Sequence, residues 1–119
     1  MQIQIILEVL GRPKENVREA LKNLVIKLGE EKGIKILQET LHEPVMVKDT
    51  KDLYTSFAEI NLELDSLDNY FGIIFVYMPA NIEIIYPEKI NLDNHELNSL
   101  GNRLLQRLHD YYAIAKKMI

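Results

Sequence analysis

The sequence predicts an α+β fold, and three observations carry that prediction. Residues 2–10 (QIQIILEVL) place Ile3, Ile5, Leu7 and Val9 on one parity, the period-two signature of a strand facing a core. The next segment switches to helical spacing, with Val17, Leu21, Leu24, Val25 and Leu28 on one stripe. The same change of period recurs after residue 53, so strands and helices interleave along the chain.

The other parity of the first strand, Gln2, Gln4, Ile6, Glu8 and Leu10, is mixed. Gly11–Arg12–Pro13 breaks this strand, and Pro13 suits the first turn of a helix because its missing N–H would lack a partner there. Gly29 and Gly33 both offer an end to that helix, Gly33 being the better left-handed cap. Residues 34–41 read as a second strand whose alternation slips near Leu37, as a bulge or an edge position allows. Residues 43–52 (EPVMVKDTKD) read as a turn or a ragged hairpin arm.

A third strand over residues 53–64 points Ala58, Ile60, Leu62 and Leu64 inward and Phe57, Glu59, Asn61 and Glu63 outward. Asp65 is predicted to cap a short helix with Leu67, Phe71, Ile74, Phe75 and Met78 buried, stopped by Pro79. Residues 81–86 form a fourth strand, with Ile82, Ile84 and Tyr86 on one face and Glu83 and Ile85 on the other. Asp93 and Glu96 stand at capping-box spacing before a last helix. Its stripe of Leu97, Leu100, Leu104, Leu108, Tyr111 and Ala115 runs for about five turns.

The expected organisation is one domain over residues 1–119, with a core at 1–90 and a C-terminal helix at 91–119. The order is β-α-β-β-α-β-α, and its first six elements make two split β-α-β units. Right-handed crossovers put both helices on one sheet face and give the strand order 4-1-3-2. In this element order, and in the Gly11-bearing turn after the first strand, residues 2–88 resemble the ferredoxin-like α+β superfamily. More loosely they resemble the ACT-type small-molecule-sensing domains, although Arg12–Pro13 stands where those domains usually carry an acidic residue. The resemblance implies a topology; function must come from sites placed on it.

Composition narrows the chemistry. Fourteen Lys and Arg stand against 18 Asp and Glu, a formal charge of −4, and there is no cysteine. That removes disulfide scaffolds, thiolate zinc sites and thiol catalysis, and a cytoplasmic address is the expectation. No apolar run approaches the ~18 residues of a membrane span, and the first residues lack a secretory signal's basic start and cleavage site. No membrane partner is expected. His42, His95 and His109 lack metal-pair spacing, and no nucleophile elbow, Walker loop or dinucleotide fingerprint occurs, so no cofactor is expected. Sheet-binding RNA modules carry aromatic residues on their central strands. Here the matching positions are Glu8, Ile6, Phe57 and Glu59, whose carboxylates repel phosphate, so nucleic acid is not expected as a partner.

Three groups of candidates remain. Glu8, Glu59 and Glu83 project from three neighbouring strands and offer oxygen ligands for a hard divalent cation; the same residues also serve simply to solvate an exposed sheet. Gly11, Arg12 and Lys14 lead into a helix N-terminus and suit a small anionic ligand. Ile6, Phe57 and Ile85 share the open face, and Tyr111 and Tyr112 on the last helix suit an interface where a ring is buried and its hydroxyl stays wet. The last helix either completes its own core, covers the open face, or pairs with a symmetry mate. Charge is also uneven: residues 12–35 carry seven basic and four acidic side chains, residues 36–70 two basic and eight acidic. Such asymmetry favours self-association or a protein partner.

The sequence therefore reads as a cytoplasmic, non-enzymatic binding or regulatory domain that forms a homodimer through its sheet face or last helix. The rival reading is a small enzyme or metal-binding protein. Its site would lie under the C-terminal helix, with Glu8, Glu59, Glu83 and His109 as acid–base groups or ligands.

Overall fold

Alternation in β1 (Gln2–Gly11) and β4 (Tyr54–Leu64) sends every second side chain into a shared core. The two strands pair antiparallel with Ile3 opposite Leu62, Ile5 opposite Ile60 and Leu7 opposite Ala58, and all six are buried. Between them in the chain come α1 (Lys14–Glu30), β2 (Ile34–Leu41) and the two-residue β3 (Val45–Met46). α2 (Leu67–Tyr77) and β5 (Asn81–Tyr86) follow, and α3 (Asn94–Lys117) comes last. The structure, a computed structural model, describes residues 1–117, with side-chain exposure to residue 115. It divides into two units, Met1–Glu88 and the segment from Lys89 onward that contains α3.

In the first unit all strand pairings are antiparallel and the sheet runs β2-β4-β1-β5, with β3 pairing β4 off this path. The sheet is five-stranded and differs in detail from the four-stranded 4-1-3-2 expectation, because the arm at residues 43–52 contributes β3. β2 ends at Leu41, Pro44 interrupts the pairing, and Val45 then resumes it opposite Thr55. β3 is thus a short continuation of the β2 edge along β4.

Val17, Leu21, Val25 and Leu28 of α1 are buried at the predicted spacing, with Leu24 half-buried beside them. Burying each such side chain stabilises the fold by ~1.5–3 kcal/mol before entropy is counted. Three local details depart from the sequence reading. Pro13 is the N-cap rather than the first helical residue, its carbonyl accepting the N–H groups of Asn16 and Val17. Gly29 lies inside α1, whose C-cap is Glu31, although Gly33 just beyond takes the expected left-handed conformation, φ 84°. Ser66, not Asp65, occupies the N-cap of α2, while the Asp65 N–H donates to the Gly33 carbonyl at 2.9 Å.

The buried side of α2 also differs. Ile73 and Tyr77 are buried with Tyr70 packed beside them, whereas Leu67, Phe71, Ile74 and Phe75 are half-buried and Met78 is exposed. Apolar residues around most of α2 leave periodicity without a polar side to orient the helix. Tertiary contacts set its rotation instead. Met78 ends α2 in the left-handed conformation, its N–H donating to the Ile74 carbonyl.

The second unit begins α3 with the expected capping box. The Glu96 N–H donates to Asp93 Oδ1 at 2.7 Å and the Asp93 N–H to Glu96 Oε1 at 3.5 Å. Among the described residues no helix is long and apolar enough to cross a membrane.

Candidate functional site

The inner parity of β1 and β4 is buried; the outer parity forms a second sheet face. Strand registers resolve this face into rows that run across the sheet. The end row holds Val45, Thr55 and Leu10, and the next holds Phe57 and Glu8. Then come Thr40, Glu59, Ile6 and Asn81, followed by Gln38, Asn61, Gln4 and Glu83. Lys35, Glu63, Gln2 and Tyr86 close the series. Rows lie ~6.6 Å apart, two residues of strand rise.

His42, which follows β2, joins the Phe57 row: its N–H donates to the Phe57 carbonyl at 2.9 Å. Its ring stacks on Phe57 with centroids 4.2 Å apart and planes 22° from parallel. With a proton on Nε2 it donates to Glu59 Oε2 at 3.2 Å. Beside it Ser56 is buried, its Oγ donating to the His42 carbonyl at 2.5 Å. From sequence His42 shows only that it lacks metal-pair spacing with His95 and His109. Its contacts depend on the β2–β4 register, which no local pattern encodes.

The three carboxylates proposed for a metal do not converge. Glu83 stands opposite Gln4 and Glu8 opposite Phe57, two rows apart, which is ~13 Å along the strands. Glu8 accepts a hydrogen bond from Thr55 Oγ1 at 3.2 Å, and Glu59 is held by His42. Among the described residues no three His, Asp or Glu side chains are placed to share a metal ion. His109 belongs to α3 in the second unit.

At the turn after β1, Arg12 and Lys14 line a cleft of about 370 Å³ with Pro13, Glu15, Asp52 and Tyr54. Gly11 pairs with Tyr54 at its edge. Arg12 already pairs with Asp52 at 3.5 Å, and Glu15 supplies a second carboxylate. Two cations facing two carboxylates leave little net field for an anion. Further along α1, Arg18 donates to Glu43 Oε2 from Nη2 at 2.6 Å and from Nε at 3.1 Å. These bonds, then the charge of Glu43, raise the Arg18 pKa and keep the guanidinium charged.

The interface candidates divide. Ile6 and Phe57 occupy adjacent rows, near Leu10 and Val45, which are 61% and 63% exposed. Ile85 sits apart, at a bulge in β5, beside Gln2 and Gln4. Tyr111 and Tyr112 lie on α3. The second face therefore has an apolar end around Phe57 and an amide-rich end around Asn61.

These features define a small α+β protein whose antiparallel sheet presents one differentiated outer face. The chain belongs to the MJ0538 family, whose model matches residues 2–117. It is 29% identical over 100 residues to the uncharacterized protein MJ0538 of Methanocaldococcus jannaschii, a match covering 84% of this chain. The same match covers 37% of that protein, so the chain corresponds to little more than a third of its curated relative. No solved structure matches.

Proposed function

We propose that this chain is a non-enzymatic binding domain of ferredoxin-like, loosely ACT-like topology that self-associates through the apolar end of its second sheet face. One observation carries the reading. Leu10, Val45 and Phe57 come from three strands to the first two rows of that face and all three are exposed, with Ile6 in the row beyond. These exposed apolar side chains are interspersed with Thr55, Glu8 and Glu59, the mixed apolar and polar composition of an association surface. A second copy is the favoured partner, because a two-fold axis can set one such patch on another without a separate complementary surface. The absence of cysteine supports a cytoplasmic address as part of the same reading.

Against catalysis, the hydroxyl of Ser56 is buried and held by a backbone carbonyl, so His42 has no nucleophile to activate there. Light scattering after size exclusion, over a wide range of protein concentration, tests the proposal. A dimer for the wild type and a monomer for folded Phe57→Asp and Leu10→Asp variants are expected. A monomeric wild type at every concentration would overturn it.

A further inference from the structure

The amide-rich end of the face carries a different inference. Gln38, Asn61 and Gln4 stand in one row across β2, β4 and β1, and Gln2 lies one row further on. Together with Leu37 and Ile85 they line a shallow concavity of about 270 Å³. None of the four carboxamides makes a side-chain hydrogen bond among the described residues, although Gln4 and Asn61 are half-buried. Neighbouring amides at such spacing have donors and acceptors enough to satisfy one another; here all four remain available to a ligand.

The two apolar walls are built by irregularities. The β2–β4 register shifts between Ile36 and Gln38, leaving Leu37 as the extra residue. The β1–β5 register shifts where Gln2 and Ile3 meet Tyr86 and Ile84, leaving Ile85 extra. Bulges re-aim a side chain that regular alternation would send elsewhere. These two occur on opposite edge strands at the level of the carboxamide row, and both residues line the concavity.

We infer that this concavity is a binding site for an uncharged nucleobase or nucleoside. No charged side chain lines it, which leaves a bound ion unpaired, and Glu83 at the end of the carboxamide row disfavours phosphate. A carboxamide presents one N–H donor and one C=O acceptor in a plane, the pair that reads adjacent donor and acceptor groups on a base edge. Leu37 and Ile85 supply apolar contact for a flat heterocycle. The volume lies just below the ~300 Å³ from which ligand pockets usually range, which suits a nucleoside rather than a dinucleotide. The site takes a free base or nucleoside, and the carboxylates elsewhere on the face still repel a nucleic-acid backbone.

The test is a heteronuclear NMR titration of the isotope-labelled full chain with adenosine, with uridine and, separately, with maltose. One of the two nucleosides is expected to shift the side-chain amide signals of Gln2, Gln4, Gln38 and Asn61 and the methyl signals of Leu37 and Ile85, saturably. Gln4→Ala and Asn61→Ala should each weaken that binding roughly tenfold, the scale of one lost hydrogen bond. Leu37→Ser should weaken it too, and well-dispersed backbone spectra will show that each variant is folded. The inference is overturned if neither nucleoside moves these signals at about 1 mM, if maltose alone moves them, or if the shifts persist unchanged in all three variants. Oligomeric state is read separately, so self-association and nucleoside binding stand or fall independently.

Discussion

The Tyr77 hydroxyl donates to Glu31 Oε1 at 2.8 Å, joining the last residue of α2 to the residue that caps α1. Lys27 adds its ammonium 5.7 Å from the Tyr77 ring centroid. Burial, and then the bond to the Glu31 carboxylate, push the Tyr77 pKa far above the ordinary tyrosine value. A raised folded-state pKa means that the contribution is complete below the unfolded value, about pH 10, and is lost as pH rises above it. At neutral pH, Tyr77→Phe should lower unfolding free energy in urea by about 1 kcal/mol, the net worth of one hydrogen bond whose acceptor is solvent-exposed. Above pH 10 the gap between wild type and variant should narrow. A gap constant from neutral pH to pH 11 would refute the assignment.

Gly33 and Asn69 make a second joint between the same two α/β halves. Asn69 Nδ2 donates to the Lys32 carbonyl at 3.1 Å, and its Oδ1 accepts from Ser66 Oγ at 2.8 Å. A Cβ on Gly33 would lie 2.9 Å from Asn69 Oδ1, at a φ of 84° that L-residues rarely adopt. Gly33→Ala should therefore cost about 2 kcal/mol, from left-handed strain and displacement of Asn69. In an Asn69→Ala background the same change should cost less, because only the strain remains. Equal costs in both backgrounds would show that the two residues do not interact.

Much of this architecture was legible because the strongest patterns are local. The parity of Ile3, Ile5 and Leu7 and the stripe from Val17 to Leu28 need only neighbouring residues, and the structure buries both sets. The Asp93–Glu96 box is equally local. The rotation of α2 was not legible, since apolar residues on most of its sides left periodicity nothing to distinguish. The candidate sites were harder still. Glu8, Glu59 and Glu83 share a face but not a row, and only the register separates them. The slip near Leu37 was visible in the alternation, but the bulge at Ile85 was hidden. Both Ile84 and Ile85 are apolar, so a shift of one residue leaves no mark in the pattern. The carboxamide row depends on two strand registers at once, and glutamine and asparagine at those positions form no motif.

Parity makes a quantitative contrast between two residues of one strand pair, ~17 Å apart along it. Ile60 is fully buried between β1 and β2, whereas Leu10, on the outer face, is 61% exposed. Ile60→Ala should cost 2–5 kcal/mol in urea unfolding, combining lost transfer energy with the cavity left behind. Leu10→Ala should change the stability of the monomer by less than about 0.5 kcal/mol. Comparable losses in the monomeric Phe57→Asp background would mean that the chain packs its own outer face.

At the start of α3, Asp93→Ala removes the acceptor for the Glu96 N–H. Loss of such a cap costs about 1 kcal/mol of helix stability. Hydrogen exchange should therefore accelerate roughly fivefold at the Glu96 and Leu97 amides. Asp93→Asn should keep most of the protection, because its carbonyl oxygen still accepts. An unchanged first turn in Asp93→Ala would show that the cap contributes nothing.

The row separation of Glu8, Glu59 and Glu83 leads to a measurable absence of cation linkage. A ligand at a hundredfold excess over its Kd stabilises the folded state by ~2.7 kcal/mol. For a unit of this size that amounts to a rise in Tm of more than about 10 °C. Mg²⁺, Mn²⁺ and Ca²⁺ at millimolar concentration should each leave Tm within about 2 °C of the chelated protein, since no site among the described residues gathers their oxygen ligands. Glu59→Gln should then act only through His42, whose contact it weakens from a charge-assisted bond to a neutral one. Both side chains are about 40% exposed, so the effect on stability should stay below about 1 kcal/mol. A rise in Tm specific to one cation and abolished by Glu59→Gln would contradict this and restore the acidic face as a metal site.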